Sequence, residues 1–165
     1  MSMDEALREN HAAVEEMASA CERCTESWLT PSAPGKWSPS QVVEHVAMAL
    51  EESAKALHGR PTRFPKFPAF LRPLVRAGFF QPVLKKGKFG KAKTNRAMDP
   101  AVGPATPAEG RVRLEQAMRA YEEACRDCSR TSPTFNHTIF GTITVVDYAR
   151  FQAMHTRHHR RQLPG

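Results

Sequence analysis

Apolar side chains recur along four stretches of the chain at steps of three and four residues, while no stretch shows the two-residue alternation of a strand. The first runs from about Met3 to Leu29. Its apolar positions Leu7, Val14, Met17, Cys21, Cys24 and Trp28 are separated by seven, three, four, three and four residues, which keeps them on one face of a helix and makes the seam of a bundle. Ser2 and Glu5 stand in front of it at capping-box separation. A second helix is expected from "SPSQVVEHVAMALEESAKAL". Ser38 is its N-cap, Pro39 takes the first helical position where a missing N–H costs nothing, Gln41 completes the box and Gly59 marks the end. The third runs from about Pro107 to Cys128, with its stripe at Leu114, Met118, Tyr121, Cys125 and Cys128. The fourth begins with Thr144 as N-cap and Asp147 as its partner, and reaches about Gln162. The pattern predicts an all-α domain spanning residues 1–165.

Residues 60–106, between the second and third helices, differ in character. From Arg60 to Arg96 there are eleven Lys or Arg and no acid, and prolines punctuate the whole stretch. A structureless connection of that length is uncommon inside a domain. Short helical turns are therefore expected around "PAFLRPLVRAGFF", packing phenylalanines over the bundle, with "KKGKFGKAK" as a mobile tip.

At 165 residues, the chain can bury a core without disulfides or structural metal. A net charge of +7 suits anionic partners, either a small molecule or nucleic acid, although a solvated basic face has the same composition. No apolar run reaches the length of a membrane span, and the charged start "MSMDEALREN" does not have the form of a signal peptide, so a cytoplasmic protein is expected.

Two motifs suggest metal chemistry. "CERC" and "CRDC" have the spacing of paired zinc half-sites, but both sit in helical periodicity on the apolar seam, where free cysteine acts as a small buried hydrophobe. Core packing is the preferred reading. The second motif is "MHTRHHRRQL", Met154 to Leu163. His155 and His159 are four apart, so they project from one helix face a turn apart and can reach a single ion. Tyr148, Phe151, Gln152 and Gln162 share that inward face. His158 lies to one side, and Arg157, Arg160 and Arg161 point outward. A third ligand has to come from elsewhere, and His45 is the candidate, since it interrupts the apolar run "QVVEHVAMAL" where its ring nitrogens need partners. Glu52, on nearly the same line, is expected to be solvated rather than an acceptor behind the site. Imidazole ligands suit Zn, Ni and Fe.

The segments "KWSPSQVVEHV", "HTIFGTIT" and "HTRHHRRQL" resemble, in order and spacing, those of the DinB/YfiT-like superfamily. The matching residues are Trp37, Ser38, His45, Phe140, Gly141, Thr144, His155, His158, His159 and Gln162, bracketing residues 36 to 162. The resemblance implies a four-helix bundle of up-down-down-up order in which His45, His155 and His159 bind a divalent metal. Helices one and three would then be antiparallel, which places the two cysteine pairs at opposite ends. It also implies chemistry on a low-molecular-weight thiol such as bacillithiol or mycothiol, in S-transfer or isomerisation. The long basic insertion departs from the better-known members, so the substrate does not carry over.

The leading expectation is a metal-dependent, thiol-dependent S-transferase acting on a small, anionic molecule or cosubstrate attracted by Arg157, Arg160 and the lysine-rich loop. Metal-activated water would make the same site hydrolytic. The alternatives are a non-catalytic metal-binding or stress protein, and a nucleic-acid binder using Arg60 to Arg96, for which no recognised motif is present. No general base is identified. His158 and Tyr148 are only neighbours, and His137 is expected to make a turn or capping hydrogen bond. Bundles of this kind often dimerise, so a homodimer is a further expectation.

Overall fold

Each of the four periodic stretches forms a helix in the computed structural model, which describes residues 1–87, 89–90 and 95–163. Helix α1, Met3–Glu22, starts from the expected box: the Ser2 hydroxyl accepts from the Glu5 N–H and the Glu5 carboxylate accepts from the Ser2 N–H. It ends earlier than Leu29. Past Glu22 the chain tightens into a turn, in which the Cys24 N–H donates to the Cys21 carbonyl and Thr25 Oγ1 donates to that of Glu22. A 3₁₀ turn, Thr25–Ser27, follows. Cys24 and Trp28 still reach the core because this turn keeps them on the side the helix was facing. Helix α2, Pro39–Leu57, has the Ser38–Gln41 box.

Between α2 and the next long helix the expected helical turns form an almost continuous run. It comprises α3, Arg72–Val75, a π-helical turn at Arg76–Phe80, and α4, Gln81–Lys86. Phe80 is buried there, its ring 4.9 Å from that of Phe140 and 5.0 Å from that of Phe151. Of the expected mobile tip, residues 85–93, Lys88 and residues 91–93 lie outside the described residues, whereas Lys85 and Lys86 belong to α4.

Helix α5, Pro107–Thr131, is capped by Thr106 and runs three residues beyond Cys128. Strands β1, Thr134–His137, and β2, Gly141–Thr144, correct the purely helical expectation. They pair antiparallel, with Phe135 opposite Ile143 and His137 opposite Gly141. Four residues per strand are too few for alternation to register, and the reversal needs Gly141, whose φ of 70° is a left-handed conformation that suits glycine. Helix α6, Val145–Arg160, follows at once, with the Thr144 hydroxyl accepting from the Asp147 N–H.

Cross-helix pairs give the directions of the long helices. Arg111 reaches Glu15 and Glu22 while Arg126 reaches Asp4, so α1 and α5 are antiparallel. Asn10 Nδ2 donates to the Ala149 carbonyl, and Arg157 bridges Glu9 and Glu16, so α1 and α6 run together. Gly110 of α5 faces Val43 of α2, and Arg113, further along α5, joins Glu44 and Glu51, so α5 lies alongside α2 in the same sense. Ion pairs this exposed are worth roughly a few tenths of a kcal/mol each. Adhesion comes from the buried seam, where Leu7, Met17, Leu50, Leu114, Met118 and Tyr121 are no more than 2 % exposed.

The antiparallel pair also separates the cysteines. Cys21 and Cys24 close the C-terminal end of α1, whereas Cys125 and Cys128 sit near the end of α5 that meets Asp4. All four are free thiols. Burial pushes the Cys21 and Cys125 thiols up to about 12, as expected for core side chains rather than ligands.

Candidate metal centre and its cavity

Along α6, Tyr148, Gln152, His155 and His159 follow at steps of four, three and four and so form one inward stripe. Helix α2 runs against it in the opposite sense, with Ser53 Oγ 2.7 Å from the Tyr148 hydroxyl at one end and His45 beside His155 and His159 at the other. The three histidines thereby offer ligand nitrogens that all lie within 4.8 Å of one another.

The donor set fits a divalent cation in three respects. The Nε2 atoms of His155 and His159 are 3.1 Å apart, close to the roughly 3.4 Å that separates two nitrogens on a tetrahedral ion with bonds of about 2.05 Å. The outer nitrogens of two rings have acceptors: His45 Nδ1 lies 2.9 Å from the Met98 carbonyl, and His159 Nδ1 lies 3.2 Å from Gln162 Oε1. A carbonyl oxygen only accepts, so each Nδ1 carries the proton and each Nε2 keeps its lone pair for the centre. Finally, the rings are neutral. Burial pushes His45 below its ordinary value; burial and the neighbouring imidazoles push His155 well below it and bring His159 to about 3. Neutral imidazole is the form that ligates.

Trp37 covers the cluster, with ring centroids 4.7 Å from His45 and 6.2 Å from His159. Among the described residues His155 Nδ1 is buried without a hydrogen-bond partner, and the ring borders a cavity of about 290 Å³ between α2, α6, the β1–β2 hairpin and Phe64, Phe79, Phe89 and Met98 of the intervening segment. Phe64, Phe79, Phe89, Phe140 and Phe151 wall this cavity. At its other end His137 Nδ1 accepts from the Ile139 N–H, so Nε2–H faces the Tyr148 hydroxyl at 3.3 Å. Gln152 Nε2 donates to Ser53 Oγ at 2.8 Å.

The structure thus brings together His45, His155 and His159. His158 borders the cavity outside the cluster, half-buried against the Phe89 ring at 5.4 Å. His137 makes the expected turn hydrogen bond but also lines the cavity, a position its sequence context does not suggest. Two expectations need correction. Glu52 is buried, not solvated: its carboxylate accepts from the Arg63 N–H at 2.7 Å and pairs with Lys55, pinning the chain that leaves α2. Arg157 is engaged by Glu9 and Glu16, and with Arg160 and Arg161 it borders a separate groove beside Glu15 and Arg23. No described Lys or Arg lines the cavity.

Sequence periodicity missed Ser53, Phe64, Phe89 and the Met98 carbonyl. A serine amid the apolar positions of α2 was the one local signal available, because a backbone carbonyl has no side-chain signature.

A family model described as the DinB superfamily matches residues 4–163. No curated protein and no solved structure matches the chain. Among the described residues no helix is long and apolar enough to cross a membrane.

Proposed function

The chain belongs to the DinB superfamily, and from that premise we propose that it is a divalent-metal-dependent enzyme, a thiol-dependent S-transferase, with His45, His155 and His159 as metal ligands. The observation that carries this reading is the convergence of three neutral imidazoles at the edge of an aromatic cavity. The helix directions support an up-down-down-up four-helix bundle, with residues 1–165 as one domain and the described part of residues 60–106 folded over its open side.

His45, His155 and His159 would hold a Zn, Ni or Fe ion, whose charge would favour the thiolate form of a thiol cosubstrate near neutral pH. The protein's own groups do the rest. The Met98 carbonyl and Gln162 fix the His45 and His159 rings with their lone pairs inward. Trp37 shields the imidazoles on one side, and the phenylalanine walls keep water from the reacting side on the other. Cavity groups outside the ligand set that can hold or pass a proton are His158, His137 and Tyr148. An anionic thiol cosubstrate would find the basic surface favourable on approach.

Metal analysis of the purified protein and of His155→Ala tests the centre. About one divalent ion per chain in the wild type and its loss in the variant are expected, and equal metal in both removes the site. A panel of low-molecular-weight thiols with an electrophile, with and without chelator, tests the activity. Chelator-sensitive conjugation supports the transferase. Metal binding with no turnover favours the second reading, a non-catalytic metal-binding protein with the same three ligands.

A further inference from the structure

In a protein of net charge +7, the described lining of the cavity beside His45 and His155 contains no Lys, Arg, Asp or Glu. Its walls are rings, and they meet one another. Phe89 lies 5.0 Å from Phe151, Phe64 lies 5.3 Å from His137, and Phe79 stacks on Phe140 at 6.3 Å with an interplanar angle of 18°. Phe64 and Phe89 come from the segment between α2 and α5 and are only half-buried, Phe89 packing on the edge of the core. Yet the chain carrying Phe64 is held down by the buried Glu52, which accepts from the Arg63 N–H. Two aromatic side chains are thus brought over a cavity from a segment whose composition is otherwise that of a solvated loop.

Polar groups gather at the end away from His45. His137, Tyr148, Ser53 and Gln152 form one hydrogen-bonded chain, each no more than 4 % exposed. Its members stay uncharged, since burial brings His137 down to about 3 and raises the Tyr148 hydroxyl. Every member has a partner, but among the described residues the Gln152 carbonyl oxygen has no donor. A buried acceptor left unmatched is costly, and a ligand N–H or O–H is the partner it lacks. A charged ligand would shed its hydration in this cavity with no described counter-charge to replace it. At about 290 Å³ the space is small among ligand pockets and suits a molecule of one or two rings.

We propose that this cavity binds an uncharged ligand with a flat aromatic body and one hydrogen-bond-donating group, the body held by Phe64, Phe89, Phe140 and Phe151 and the donor received by Gln152. Gln152 is then a specificity residue and the two loop phenylalanines are the cover. Its role as the electrophile's pocket rests on the transferase reading, but the binding itself needs no metal.

Calorimetric titration of the full-length protein after chelator treatment tests this with 1-naphthol, 1-methoxynaphthalene and 1-naphthalenesulfonate as probes. 1-Naphthol is expected to bind at one site, and the sulfonate at least tenfold more weakly. Phe64→Ala and Phe89→Ala should each weaken 1-naphthol at least threefold while a cooperative melting transition shows that each variant is folded. Gln152→Leu should abolish the preference for 1-naphthol over its methyl ether, which cannot donate. Absence of saturable binding, a sulfonate bound as tightly as the naphthol, unchanged binding in both phenylalanine variants, or a naphthol preference that survives in Gln152→Leu overturns the proposal. His159→Ala separates the two readings, because His159 does not line the cavity. Naphthol binding should persist in it as metal is lost. Retained metal with naphthol still bound sinks the metal centre alone, and lost metal with no naphthol binding to any form sinks the pocket alone.

Discussion

The Nε2 atoms of His155 and His159 lie 3.1 Å apart, one helical turn from each other, and the outer nitrogen of His159 is held by Gln162. Two imidazole nitrogens approach so closely only when a proton or a cation lies between them. Gln162 fixes which nitrogen of His159 faces inward, so Gln162→Ala should weaken divalent-metal affinity by about 10- to 100-fold while leaving the site able to bind. Competition with a chromogenic chelator measures this. An unchanged affinity would mean that His159 is oriented without Gln162.

Acid should destabilise the metal-free protein well before its carboxylates titrate. An unfolded histidine titrates near 6.5, whereas folded His137 and His159 titrate at about 3. Between those limits the unfolded chain binds more protons, so stability falls as pH falls, by up to about 1.4 kcal/mol per pH unit for each residue. Above about pH 6.5 these groups add nothing to the slope. Urea unfolding in chelator from about pH 7.5 to about pH 4 should show this decline, shallower in His137→Asn.

Gly110 lies in α5 under the Trp28 ring, where an added Cβ would come within 2.8 Å of the indole carbons. Alanine at an exposed helical position gains about 1 kcal/mol over glycine. Here Trp28 is 3 % exposed and its Nε1 donates to the Pro104 carbonyl, so the ring cannot retreat cheaply. Overpacking costs about 1–3 kcal/mol. Gly110→Ala should lower stability in chemical denaturation, and a gain would show that the indole moves freely.

Removing the Glu52 carboxylate should free the segment after α2. Glu52→Ala leaves the Arg63 N–H without its acceptor, at a cost of about 1–3 kcal/mol. Brief trypsin digestion should then cut at Arg63 or Lys66 sooner than in the wild type, while α2 and α5 stay intact. Equal cleavage rates would mean that other contacts hold the segment.

Native cysteines should be slow toward thiol reagents. Burial raises all four thiols, with Cys21 and Cys125 at about 12 and the partly exposed Cys128 the most accessible. A disulfide-exchange reagent should modify Cys128 first and reach Cys21, Cys24 and Cys125 only on unfolding. Rapid reaction at Cys21 or Cys125 would indicate local opening of the helix ends.

Helix starts were legible because Ser2, Ser38 and Thr144 bond to backbone within three residues, so the signal and the structure occupy the same few positions. The end of α1 was not, since Cys24 and Trp28 fit the helical seam and still reach the core from a 3₁₀ turn. The β1–β2 hairpin escaped because its strands are held by each other and by packing on α6, with too little length for a pattern of their own. Glu52 was misjudged for a similar reason: what buries it is the Arg63 backbone, eleven residues on.

By itself the sequence determined the long helices, the inward stripe of α6, and His45 as the residue to join His155 and His159. Periodicity and capping are local, and a histidine in an apolar run marks a local conflict that needs a partner. Tertiary structure decided that α2 meets α6 head to tail, so that residues more than a hundred positions apart point at one spot. It also decided that Phe64, Phe89 and His137 share a cavity with His45 and His155. Those placements depend on which surfaces bury each other, which no single segment encodes.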